Sequence, residues 1–190
     1  MLRQQRSILD YFSSKAVKPV TSVAVPPQPV EAISQEIVAF TDGSFMKKGK
    51  LQKVGWAVVF PHNSQHDRSG KLNGNFETIN RAEYIAFIEA IKASNEIDPT
   101  ETLPLVVHSD SELLVKTVNL WMRTWKRAGW IKYDKKPVKN LDLLIDIDNM
   151  MHQRRRIQIF HVRAHQKTDS FYSRWNNEAD RMAKQAANRE

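Results

Sequence analysis

Ile37-Val38-Ala39-Phe40-Thr41-Asp42-Gly43-Ser44 is an apolar run closed by three turn-forming residues. The run has the length and content of a buried strand. Asp42, Gly43 and Ser44 are read as the turn that stops it and lifts a carboxylate to its end. In open α/β sheets, ligands bind at the ends of strands. A lone Asp-Gly pair is an ordinary turn in most chains, so the reading gains weight only if it recurs. It does recur: Leu105-Val106-Val107-His108 is a second short apolar run, and Ser109-Asp110-Ser111 ends it.

Other elements fall around these two strands. Gly55 to Phe60 reads as a strand joined to the first by the basic turn Lys47-Lys48-Gly49-Lys50. Pro61 to Asn75 is polar and is expected to hold an edge strand within loops. Ala82 to Ser94 has helical spacing, with Ala82, Ile85, Ala86, Ile88 and Ala90 available to pack. Glu83 falls in the first turn of that helix, where taken alone it is a favourable charge near a helix N-terminus. Ile157 to Val162 has a strand pattern. Arg174 to Glu190 is helical, with Asp180 in its early part and off the apolar side formed by Ala179, Met182, Ala183 and Ala186.

The totals narrow the classes. A chain of 190 residues has room for one domain of ordinary size plus a tail, here read as residues 37–190 behind 1–36. The formal charge of +8 suggests a polyanionic partner, nucleic acid before membrane. With no cysteine, disulfides and thiolate metal sites are excluded. No apolar run approaches membrane-spanning length and no secretory signal opens the chain, so a soluble intracellular monomer is expected.

Residues 1–14 differ in character from the rest of the chain. Ile8, Tyr11 and Phe12 share one helical face. Residues 15–36 place Pro19, Pro26, Pro27 and Pro29 among Val, Ser and Ala, the composition of an extended linker. An apolar anchor on such a leash suits a peptide that docks into a partner's groove. Gln5, Ile8, Tyr11 and Phe12 resemble the sliding-clamp (PCNA) interaction box of replication and repair proteins. That resemblance implies a clamp partner and a nuclear or replication-site location. The alternatives are an amphipathic start that folds back on the core, or a mitochondrial presequence.

Asp42, Glu83, Asp110 and Asp180 lie at strand ends and helix beginnings that a βα sheet gathers at one edge. Like charges so packed repel unless cations neutralise them. Oxygen donors without thiolate favour magnesium or manganese over zinc. Two such ions about 4 Å apart can activate water and stabilise the leaving oxygen of a phosphate displacement.

From about Ile37 onward the chain resembles ribonuclease H, type 1. The resemblance rests on Thr41-Asp42-Gly43-Ser44, Thr78-Ile79-Asn80-Arg81-Ala82-Glu83, Ser109-Asp110-Ser111, the stretch Trp121 to Asp142, and Asn176-Asn177-Glu178-Ala179-Asp180. It implies an α/β fold with a five-stranded mixed sheet and helices on both faces. It also implies endonucleolytic cleavage of the RNA strand of RNA–DNA hybrids, leaving 5′-phosphomonoesters. By the same resemblance Asp42, Glu83, Asp110 and Asp180 hold two Mg2+ ions, with Mn2+ as a substitute, and His165 assists proton transfer on a long loop. His161 is its structural competitor.

The stretch Trp121 to Lys139 resembles the family's basic protrusion. It implies phosphate contacts from Lys126, Arg127, Lys135, Lys136 and Lys139, and a DNA-strand channel lined by Trp121. Trp125 and Trp130 are read as packing. Thr78 and Asn140 resemble a DNA-phosphate pocket, and Asn80 a minor-groove reader. Phe76 stands where some members carry Arg, and Ile79 where an amide is usual. A non-catalytic hybrid binder and a DNA-directed nuclease of the same broad fold are the competing readings.

Overall fold

The computed structural model describes residues 36–48, 51–73, 78–164 and 169–189. All lie in a compact unit spanning Ser34–Glu190. β1 (Ile37–Lys48) is longer than its apolar run, because the chain continues as a strand through Asp42-Gly43-Ser44. The expected turn there is corrected by β2 (Leu51–Val59), whose antiparallel ladder pairs Asp42 with Ala57 and Ser44 with Gly55. On the other side of β1, the parallel ladder with β4 (Leu105–Ser109) stops at Thr41 opposite Ser109. Asp42 is therefore inside one ladder and one residue beyond the other. The strand end that matters is the place where β1 and β4 part.

β3 (Arg68–Leu72) extends the antiparallel half, and β5 (Ile157–His161) the parallel half, giving the order β3-β2-β1-β4-β5. The sheet is five-stranded and mixed, as expected. Every residue of β4 is buried, which suits a central strand covered on both sides. Alternation along β1 divides the core. Ile37 and Ala39 join Tyr84, Phe87 and Ile91 of α1 (Ile79–Ile97) and Leu144 and Ile147 of α4 (Leu141–Gln153). On the opposite face Phe40 packs with Val59 and with Ala179 of α5 (Phe171–Ala187). Helices thus cover both faces.

Helix boundaries differ from the sequence reading for identifiable reasons. α1 starts at Ile79 because the Thr78 hydroxyl accepts from the Arg81 N–H and caps it. Glu83 is consequently in the second turn, away from the orphan N–H groups of the terminus. α5 starts at Phe171, capped by Ser170 accepting from Ser173. Phe171 and Tyr172, which precede the helix start read at Arg174, are helical, and Asp180 lies mid-helix. The Tyr172 ring stands edge-on to His108 with centroids 4.9 Å apart, which pins the first turn of α5 to β4. Between β4 and α4, α2 (Glu112–Lys116), a π-helical turn (Thr117–Trp121) and α3 (Met122–Arg127) follow one another. Among the described residues, no helix is long and apolar enough to cross a membrane.

α5 approaches β2 most closely at Gly55. A Cβ there would overlap the Ala183 carbonyl oxygen and the Ala187 amide, both backbone groups that cannot step aside. Gly55→Ala is expected to cost about 1–3 kcal/mol or more from overpacking. Thermal unfolding followed by circular dichroism should show Tm lowered by at least about 2–4 °C. An unchanged Tm would contradict this packing.

Candidate active site

Three carboxylates converge where β1 and β4 separate. Asp42 comes from β1, Asp110 directly follows β4, and Glu83 projects from the second turn of α1. One oxygen from each lies within 4.8 Å of the others. Asp42 and Glu83 are only 5% and 4% exposed, while Asp110 is half-buried. Gly43 makes the approach of α1 possible. A Cβ at this position would sit 3.0 Å from the Glu83 backbone nitrogen and 3.1 Å from its carboxyl carbon. Asp180 lines the same cavity, of about 410 Å³, without joining the close group. Its Oδ2 accepts from Lys184 Nζ at 2.7 Å.

The charges here are held against their preference. Burial first, then the charges of Asp110 and Asp180, push Asp42 up to about 8. A hydrogen bond shared with Asp110 acts in the same direction, and the Gly43 N–H opposes it weakly. Glu83 is likewise raised well above the carboxylate range by burial and then by Asp42 and Asp110. Asp42 Oδ2 and Glu83 Oε2 are buried and have no hydrogen-bond partner among the described residues. Partnerless buried carboxylate oxygens are costly in isolation. They fit a divalent cation, and an all-oxygen donor set suits the hard, magnesium-like ions.

The RNase H family model matches residues 34–188. The chain belongs to the RNase H family. The Ribonuclease H of Bordetella pertussis is 32% identical over 151 residues, covering 80% of this chain and 88% of that relative. The solution structure of the PFV RNase H domain is similar with a TM-score of 0.68 at 28% identity, covering 80% of this chain and 94% of that one. A foamy viral protease–reverse transcriptase in complex with an RNA/DNA hybrid matches with a TM-score of 0.69 at 25% identity. That match covers 90% of this chain, which spans 22% of the larger one. Membership of the RNase H family makes the chain an endoribonuclease.

Beside the RNase H carboxylates lies a second, narrower cavity of about 150 Å³. Asn80, Trp121, Lys139 and Asn140 line it, with Tyr84 at its wall. Asn80 lines both cavities, so the two are adjacent. Asn140 takes a left-handed backbone conformation (φ 56°) ahead of α4. Its Oδ1 accepts from Arg81 Nη1 at 3.4 Å, and Arg81 grips Asp142 with both terminal nitrogens at 3.1 and 2.8 Å. Arg81 therefore ties the start of α1 to the start of α4. Thr78 serves as the α1 cap beside this junction.

Not every residue expected at the substrate surface gathers there. Lys126 and Arg127 line a separate cavity between α3 and α4, where Lys126 pairs with Asp148 at 2.6 Å. Lys135 and Lys136 are exposed on the connection between those helices. Trp125 and Trp130 pack against the core, as read from the sequence. His161 is exposed rather than buried in the sheet, and its Nε2 donates to the Asp110 carbonyl at 3.3 Å. His165, Phe76, Gln5, Ile8, Tyr11 and Phe12 lie outside the described residues.

Two residues on α5 were missed as parts of the site. Asn176 donates from Nδ2 to Asp110 Oδ2 at 3.0 Å, and Lys184 pairs with Asp180. A signal was available: Asn176, Asp180 and Lys184 are four residues apart in turn, which stacks them on one helix face.

The raised Asp42 carboxyl has a stability consequence in the metal-free protein. Between the ordinary aspartate range near 4 and about 8, the folded state binds more protons than the unfolded chain. Stability must therefore fall as pH rises through that window. In EDTA, Tm is expected to drop between pH 5 and pH 8, and Asp42→Asn should flatten the drop. A pH-independent Tm in the parent would refute the buried-charge account.

Proposed function

We propose that this RNase H-family chain is a type 1 enzyme that hydrolyses the RNA strand of RNA–DNA hybrids with two divalent ions. The observation that carries the reading is the convergence of Asp42, Glu83 and Asp110 at the wall of one cavity, with Asp42 Oδ2 and Glu83 Oε2 buried and without a hydrogen-bond partner among the described residues. Asp42, Glu83, Asp110 and Asp180 would hold Mg2+, or Mn2+ in its place. Bound there, such ions activate a water and neutralise charge on the leaving oxygen. The product is then a 5′-phosphomonoester.

The chain's own groups do the remaining work. The narrow cavity beside the acids suits the backbone of the uncut DNA strand, with Lys139 and the amide of Asn140 toward a phosphate and the Trp121 face toward a sugar. Arg81 holds the Asn140 amide in position. Asn80, shared by both cavities, would sit in the minor groove, where a 2′-hydroxyl marks the strand to be cut. His165 would carry a proton near the leaving group. Similarity to the hybrid-bound foamy viral enzyme supports this substrate class.

Gln5, Ile8, Tyr11 and Phe12 would tether the enzyme to a sliding clamp, which suits removal of RNA primers at sites of DNA replication. The support is the spacing of those four residues. Asp42→Asn should lower hybrid cleavage in Mg2+ by about 10²–10³-fold or more, because it removes a carboxylate from the charged centre. A gel assay with hybrid, duplex DNA and duplex RNA reads both the loss and the substrate class. Retained cleavage would refute the assigned centre. Replacing Tyr11 and Phe12 with Ala should abolish clamp binding in a pull-down and leave cleavage of short hybrids intact. Unaltered clamp binding would refute the tether.

A further inference from the structure

We propose that Asn176 is a positioning residue that fixes the Asp110 carboxylate for metal binding. Asn176 is 2% exposed, on the face of α5 that carries the buried Ala179 and Ala183. An apolar side chain would fill such a place without the desolvation cost of a carboxamide left unpaired. Half of that amide is satisfied in one way: Nδ2 donates to Asp110 Oδ2 at 3.0 Å. The other half, Oδ1, is buried without a partner among the described residues. The contact with Asp110 is what recommends a polar residue here.

Asp110 needs such support more than its companions do. Asp42 is held in a strand and Glu83 in a helix, whereas Asp110 sits in the connection between β4 and α2. Its backbone is fixed, since His161 donates to its carbonyl and the next residue, Ser111, donates from its N–H to Ser109 Oγ at 3.1 Å. Its side chain remains free to rotate unless one oxygen is held. By engaging Oδ2, Asn176 leaves the other carboxylate oxygen unoccupied by this contact. The donor is neutral, so it holds the carboxylate in place without bringing a positive charge that would compete with a cation. Lys184, two turns further along α5, is the contrasting case, because its ammonium already occupies Asp180.

This inference rests on the proposed role of Asp110 as a metal ligand. The test is Mn2+ binding by isothermal titration calorimetry to the parent, Asn176→Ala, Asn176→Leu and Asp110→Asn, with Tm in EDTA as the control for folding. Outer-shell partners of metal ligands are worth about 10–100-fold in affinity. Both Asn176 variants should therefore weaken Mn2+ binding by about tenfold or more. The leucine variant matters most, because it fills the space and lacks the N–H. If it binds Mn2+ as tightly as the parent, Asn176 only packs and the proposal fails. If Asp110→Asn also binds as the parent does, the metal reading itself fails. If Asp110→Asn alone is weakened, only the Asn176 inference falls. In the parent, the side-chain amide resonance of Asn176 should shift when Mg2+ is added and should move in Asp110→Asn. A resonance that responds to neither would overturn the proposal, whatever the variants do.

Discussion

Mutual repulsion among buried carboxylates is the constraint to which the rest of this fold answers. Asp42 and Glu83 are removed from water, lie within a few ångströms of Asp110, and leave one oxygen each without a hydrogen bond among the described residues. Without a cation, that arrangement opposes folding. Elsewhere the chain treats buried charge differently. The buried Arg154 donates to the Leu103 carbonyl at 2.8 Å and to Asn95 Oδ1 at 3.0 Å, and lies 3.8 Å from Asp98. It binds together the end of α1 and the starts of β4 and β5. One buried charge is compensated by protein, and the other set is left for something that arrives from solution.

The sheet supplies the place for that exception. β1 belongs to an antiparallel hairpin on one side and a parallel pair on the other, and the two ladders end at different heights. The gap opened between β1 and β4 exposes the backbone level at which Asp42 and Asp110 emerge. α1 reaches the gap because Gly43 has no side chain. α5 crosses on the opposite face and brings Asn176, Asp180 and Lys184 on successive turns. Two helices, one strand and the connection that follows a second strand each contribute one acid, and none of the four is a neighbour of another in sequence.

Much of this was legible in the residues. The apolar runs beginning at Ile37 and Leu105 mark β1 and β4 because central strands are buried on both faces and leave long hydrophobic signatures. The recurrence of Asp after such runs pointed to the site before any geometry was known. The reach of β1 past Ser44 was not legible, since Asp-Gly-Ser reads as a turn until the hairpin partner is seen to continue the ladder. The starts of α1 and α5 were read late because Thr78 and Ser170 cap through single hydroxyls, and the residues just after them break the apolar stripe. Phe171 and Tyr172 were left outside the helix because the rings they pack near, Phe40 and His108, are remote in sequence and their burial depends on the sheet. Asn176 was hidden for a similar reason: an asparagine in an amphipathic helix looks like surface, and only the fold turns it inward.

The first turns of α1 have a further consequence. Within four positions this helix carries Asn80, which borders both cavities, Arg81, which anchors the wall of the narrow one, and Glu83, which belongs to the wide one. A helix is a stiff ruler, rising about 1.5 Å and turning about 100° per residue. On the proposed assignment, the spacing between the grip on one strand and the cut in the other is therefore set by helix geometry rather than by loops that could drift. Any tilt of α1 would move both cavity walls together, so under that assignment the accuracy of the cleavage position belongs to a single rigid rod.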